Sequence, residues 1–221
     1  MARLPRSVLP GHPHHVTVRG NGRRALFSYP RDYHVFIEHL ASAMVYSPCE
    51  LNAATLMTNH VHLVVTPVDG QTLARFVKHL CQRHAQTVNK HRKTSGRVFE
   101  ERYGCRPILD DAQLALTLAY VDLNPVRAGM TADVAAYRWS THACHIGKTG
   151  EIPAALWTPA PWYTSLAPTL ALRAEKYTEW VAACRARDAR PEKVSQLDAR
   201  QAMIALNKTS RPRRPDGSRA K

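Results

Sequence analysis

Apolar and polar positions alternate along this chain at two periods, and the switches between them mark its elements. From His14 to Arg19 (H-H-V-T-V-R) the period is two, which predicts a strand. Gly20-Asn21-Gly22 carries turn chemistry and predicts a loop. Asp32 can cap a helix in which Phe36, Ile37, Leu40 and Met44 recur at helical spacing to about Tyr46, before Pro48 ends it. Leu51 to Met57 and His60 to Thr66 read as strands joined at Thr58-Asn59, a hairpin closed by Pro67-Val68-Asp69-Gly70. A long helix is predicted from Thr72 to Lys90, with Leu73, Phe76, Val77, Leu80, His84 and Val88 as its apolar stripe. Cys105 to Leu109 makes a fourth strand. Asp110 or Asp111 then caps a helix with Leu114, Ala115, Leu118 and Val121 inward, and Asn124-Pro125 is expected to stop it. The order β-α-β-β-α-β-α predicts an α+β fold, a ferredoxin-like antiparallel sheet with helices on one face and a helical C-terminal extension.

Proline frequency and charge refine that picture. The 221 residues divide into 1–146 as the main domain, 147–190 as a proline-rich and helical extension with a helix from Leu170 to Asp188, and 191–221 as a basic tail expected to be flexible. The net charge of +14 and pI near 10 point to a polyanionic partner, most simply nucleic acid. No acid occurs between Gly70 and Phe99, where Arg75, Lys78, Gln82, Gln86, Asn89 and Lys93 form a basic, amide-rich helix face. The five cysteines form no C-x-x-C pair, and no run is long enough to span a membrane. A reduced, cytoplasmic protein without a membrane partner is expected.

The chemistry begins at His60-Val61-His62. Alternation puts both imidazoles on one face of the strand, half of a metal site, although two satisfied, half-buried histidines would look the same. A histidine-triad hydrolase would need a third histidine where Val64 stands. A zinc hydrolase would need a nearby acid, and the nearest, Asp69, lies beyond Pro67. A cupin-like site would need a strand-rich chain. The remaining partner is the helix ending Tyr120-Val121-Asp122-Leu123-Asn124. Tyr120 and Asn124 share a face, so an amide oxygen can meet a metal while a phenol meets whatever the metal holds.

With both elements present, the chain resembles the IS200-like, single-tyrosine HUH transposases, and within them the REP-associated tyrosine transposases. The matching segments are Met1-Ala2-Arg3 with Pro5-Arg6, His15-Val16-Thr17 to Arg19-Gly20-Asn21, Met57 to His62, Gly96 to Phe99 with Arg102-Tyr103, Tyr120 to Gly129, and Tyr137 to Ser140. The resemblance implies Tyr120 as nucleophile and His60, His62 and Asn124 as metal ligands, Asn124 standing where other members use glutamine. It implies Mg²⁺ or Mn²⁺, with two imidazoles and an amide leaning towards Mn²⁺. It also implies cleavage and rejoining of hairpin-bearing single-stranded DNA through a 5′-phosphotyrosine, by a monomer or a homodimer. Contacts to that DNA are expected from Arg19, Asn21, Arg23, Arg24, Arg75, Lys78 and Arg102, with Tyr103 or Trp139 either stacking on bases or packing in the core. The alternative is a non-catalytic, domesticated binder of structured DNA or RNA hairpins.

Overall fold

The side-chain alternation of two neighbouring strands decides where the rest of the chain goes. A computed structural model describes residues 8–100 and 102–188; the motif residues 1–6 and the basic tail 191–221 lie outside the described residues. Strands β1 (His14–Arg19), β2 (Cys49–Met57), β3 (His60–Pro67) and β4 (Gly104–Pro107) form one antiparallel sheet in the order β2-β3-β1-β4. Val16 and Val18 of β1 and Val61, Leu63 and Val65 of β3 point to one face. There they meet Phe36, Ile37 and Leu40 of helix α1 (Pro30–Tyr46) and Leu73, Phe76 and Leu80 of helix α2 (Thr72–Arg92). Each of these fully buried Leu and Phe side chains stabilises the fold by roughly 1.5–3 kcal/mol relative to exposure.

The opposite face carries His15, Thr17 and Arg19 of β1 beside His60, His62 and Val64 of β3, in the register Thr17↔His62 and Arg19↔His60. Helix α3 (Asp111–Arg127) covers part of it, packing on Ala53 and Val64. Because α5 (Pro161–Ser165) and α6 (Leu170–Ala186) cover the back of α3, it is buried nearly all round. The ferredoxin-like helices α1 and α2 therefore share one face, and α3 with the extension occupies the other. A short helix, α4 (His142–His145), completes that layer. The outer edge of β2 is covered as well: Leu56 N–H donates to the Trp139 carbonyl and Thr141 N–H to the Ala54 carbonyl, each at 2.9 Å.

Several boundaries differ from the sequence expectation. Helix α1 starts at Pro30, and Asp32 caps it from inside the first turn by accepting the N–H groups of Ser28 and Tyr29. Strand β4 is shifted to Gly104–Pro107. Helix α3 does not stop at Asn124-Pro125 but runs to Arg127. Pro125 lacks only its own N–H, and the ladder resumes with Ala128 N–H to Asn124 O and Met130 N–H to Pro125 O. The Gly20 turn forms as expected. A Cβ there would collide with the Arg24 carbonyl oxygen, so only glycine fits.

Candidate active site

The site forms where the polar face of β1 and β3 meets the end of α3. His60 is half-buried, and its Nδ1 lies 2.7 Å from Asn59 Oδ1. The Asn59 amide nitrogen donates to the Arg23 carbonyl, which fixes Oδ1 as the atom facing His60. His60 Nδ1 must then donate, and its Nε2 keeps the lone pair. His62 is buried, and its Nδ1 sits 2.9 Å from His15 Nε2 and 3.3 Å from Thr17 Oγ1. The rings of His60 and His62 are 4.9 Å apart at 80°. Burial lowers the basicity of both imidazoles, and the Arg19 charge adds to this. For His62 the neighbouring His15 and His60 lower it further. Neutral imidazoles held through one ring nitrogen present the other as a metal donor.

Tyr120 comes to this pair from α3. Its ring centroid is 5.7 Å from His62 and 5.8 Å from His15, edge-on to both. One turn later, Asn124 donates its amide N–H to the Tyr120 carbonyl at 2.8 Å, leaving Oδ1 as the acceptor end of its side chain. Among the described residues, no three His, Cys, Asp or Glu side chains are grouped to hold a metal. A cation held by His60 and His62 would take its remaining ligands from oxygen donors. The Asn124 amide oxygen, water and a phosphate are the chemically suitable ones, and this donor set fits Mg²⁺ or Mn²⁺.

A cavity of about 330 Å³ opens over Tyr120, His15, Thr17 and His62, and three arginines, Arg19, Arg102 and Arg106, edge it together with one acid, Glu100. A second, of about 250 Å³, shares Arg19 and Arg102 and adds Lys78 and Tyr103. Of the residues expected to contact DNA, Arg19, Arg102 and Lys78 thus lie along one connected surface. Asn21, Arg23 and Arg24 form the exposed turn beside it, held to the hairpin by Gly20 N–H donating to Asn59 O. Arg75 lies apart at the start of α2, with its guanidinium against the Asp69 carboxylate at 3.3 Å. That acid lies just upstream of the acid-free stretch. Trp139 is a core residue stacked on Tyr33 at 4.4 Å, and Tyr103 is half-buried against the α1/α2 core.

Four members of the site, His15, Thr17, Asn59 and Arg106, were not assigned from sequence. The alternation of β1 puts His15 and Thr17 on one face. Only the β1–β3 register puts that face beside His62.

Against known proteins, the sequence profile of the family described as "Transposase IS200 like" matches residues 10–124, more than half of the chain. No curated protein matches by sequence. Among solved structures, the fold is similar to a REP-associated tyrosine transposase bound to a REP hairpin. That likeness has a TM-score of 0.59 and 17% identity, and covers 72% of this chain and 93% of the other. A candidate transposase from Deinococcus radiodurans shows a weaker likeness, with a TM-score of 0.39 and 15% identity over 52% of this chain and 93% of that one.

Proposed function

Because this chain belongs to the IS200-like transposase family, we propose that it cleaves and rejoins hairpin-bearing single-stranded DNA with Tyr120 as nucleophile. The observation that carries the proposal is the meeting of Tyr120 with His62 and His15 inside a cavity edged by three arginines. A phosphate entering this cavity would be flanked by Arg19, Arg102 and Arg106, three cations against the single carboxylate of Glu100, so the surroundings offset its charge. When bound at His60, His62 and Asn124, a divalent cation supplies Lewis-acid stabilisation of the phosphate.

The covalent step conserves the bond energy. Tyr120 Oη attacks phosphorus, the bond from phosphorus to the 3′ oxygen breaks, and the leaving 3′ oxygen takes up a proton. The 5′-phosphotyrosine remains until another 3′-OH attacks it and releases the phenol, so strands are joined without ATP. An ordinary tyrosine titrates near about 10, so attack at neutral pH depends on the positive surroundings stabilising the phenolate.

Hairpin DNA as substrate is supported by the basic surface running from Lys78 through Arg102 and Arg19 to the Gly20 turn. The fold likeness to a protein bound to a REP hairpin points the same way. Tyr120 meets His62 of its own chain, which supports a monomer competent for cleavage. A nicking assay with hairpin DNA and Mn²⁺ tests the reading. His62→Ala is expected to lose cleavage and keep hairpin binding; undiminished cleavage in that variant would remove the histidine pair from the mechanism.

A further inference from the structure

Helix α3 has a second anchoring point, on its back. Asp122 lies two residues after Tyr120, about 200° further round the helix, and is wholly buried. Its Oδ2 accepts the Tyr177 hydroxyl at 2.8 Å and His142 Nδ1 at 2.9 Å, and lies 3.2 Å from His145 Nδ1. These partners come from α4 and α6, both beyond the segment that matches the family profile. They are themselves fixed: Tyr163 donates its hydroxyl to the His145 carbonyl at 2.6 Å, and the His145 and Tyr177 rings stack at 4.5 Å. At the other end of the helix, Trp180 Nε1 donates to the Ala115 carbonyl.

We propose that Asp122 is a positioning residue through which residues 142–186 set the rotation of α3, and so the presentation of Tyr120 to the His60–His62 face. The argument rests on the reading of Tyr120 as nucleophile. Apolar packing alone would hold α3 against α5 and α6, because Trp162, Tyr163 and Trp180 already bury its back. A buried carboxylate adds nothing to that adhesion, since its desolvation cancels most of what its partners return. It does add direction. Apolar contacts tolerate a slipped helix, whereas one oxygen that accepts from His142 and Tyr177, on two different helices, keeps both hydrogen bonds only at a single rotation and height. A slip of one residue would turn Tyr120 by about 100° away from His62. Fixing α3 in this way is the use of buried polar groups best supported elsewhere, the setting of register.

The test uses the full chain with hairpin single-stranded DNA and Mn²⁺, comparing Asp122→Asn and Tyr177→Phe with wild type below the melting temperature of each. Tyr177→Phe removes one hydroxyl and keeps the packing, so it decides the matter if Asp122→Asn does not fold. We expect hairpin Kd and KM within twofold of wild type, while the rate of covalent adduct formation at saturating DNA falls roughly 10–100-fold, as for a nucleophile displaced by about 1 Å. A ¹⁹F spectrum of 3-fluorotyrosine at position 120 should broaden or split in the same variants. Wild-type adduct rates in both folded variants would overturn the proposal, as would losses matched by equal weakening of DNA binding. Tyr120→Phe separates the two layers. If it still forms the adduct, the nucleophile assignment falls and the proposal with it. If it is inactive while the folded Asp122 and Tyr177 variants keep wild-type rates, only the positioning role falls.

Discussion

Replacing Asn59 by alanine tests the histidine pair without touching either histidine. In the native structure Asn59 Oδ1 accepts from His60 Nδ1 at 2.7 Å, and its amide nitrogen donates to Arg23 O at 3.1 Å. The first contact fixes the His60 tautomer and ring plane; the second holds the basic turn against the hairpin. Removing the acceptor lets His60 turn and move its proton, so the donor nitrogen is correctly presented for only part of the time. Loss of such a partner weakens metal binding about 10–100-fold, or roughly 1.4–2.7 kcal/mol. The cost to folding should be smaller, on the order of 1 kcal/mol for two partly solvated hydrogen bonds. Calorimetric titration of Mn²⁺ into wild type, Asn59→Ala and His60→Ala, with urea unfolding of each, separates the two effects. Asn59→Ala should bind Mn²⁺ more weakly than wild type and more tightly than His60→Ala. A wild-type Mn²⁺ affinity in Asn59→Ala beside a clear loss in His60→Ala would refute the orienting role.

Three further outcomes follow from single contacts. Burial, together with the nearby His39, lowers the His84 pKa to about 3, while the unfolded chain protonates near 6.5; the unfolded state binds the extra proton in that window, so stability is full above about pH 6.5 and falls as pH drops towards 3. At pH 4 the loss from this residue should be about 3 kcal/mol, and urea unfolding of His84→Leu should show a correspondingly flatter acid limb; an unchanged limb contradicts it. Trp139→Ala should destabilise by about 3–5 kcal/mol, because the ring stacks on Tyr33 in the core; a loss below about 1 kcal/mol, well under that range, would place the ring outside the core. Lys78→Gln should reduce the salt dependence of single-strand binding by about 0.7 in the log–log slope, whereas Arg75→Gln, already paired with Asp69, should leave it unchanged; equal effects in the two variants would show that helix α2 meets DNA along its whole basic face.

Much of this architecture could be read from the pattern of the chain. The strand pair, the long helix and the shared face of His60 and His62 follow from period alone, because burial on one side of a sheet enforces alternation. Tyr120 and Asn124 were legible through helical spacing. What could not be read was pairing. His15 reaches His62 only because β1 lies antiparallel beside β3 in one register, and nothing local to either strand states that register. Proline signals a stop, yet in the last turn of α3 its missing N–H costs one bond and the ladder continues, with Ala128 N–H donating to the Asn124 carbonyl. The pairing of Arg75 with Asp69 does not show in the acid-free helix, because the acid lies just before its first turn. Asp122 gives no signal at all: an acid in the apolar middle of a helix finds its partners in residues 142–177, far along the chain.

The proposed mechanism joins Tyr120 covalently to DNA. Incubating the protein with hairpin-bearing single-stranded DNA and Mn²⁺, digesting the denatured product and mapping the modified peptide by mass spectrometry tests it directly. A 5′-phosphonucleotide on the peptide containing Tyr120, absent from Tyr120→Phe, is the predicted result. An adduct on another residue, or one that persists in Tyr120→Phe, would contradict the account.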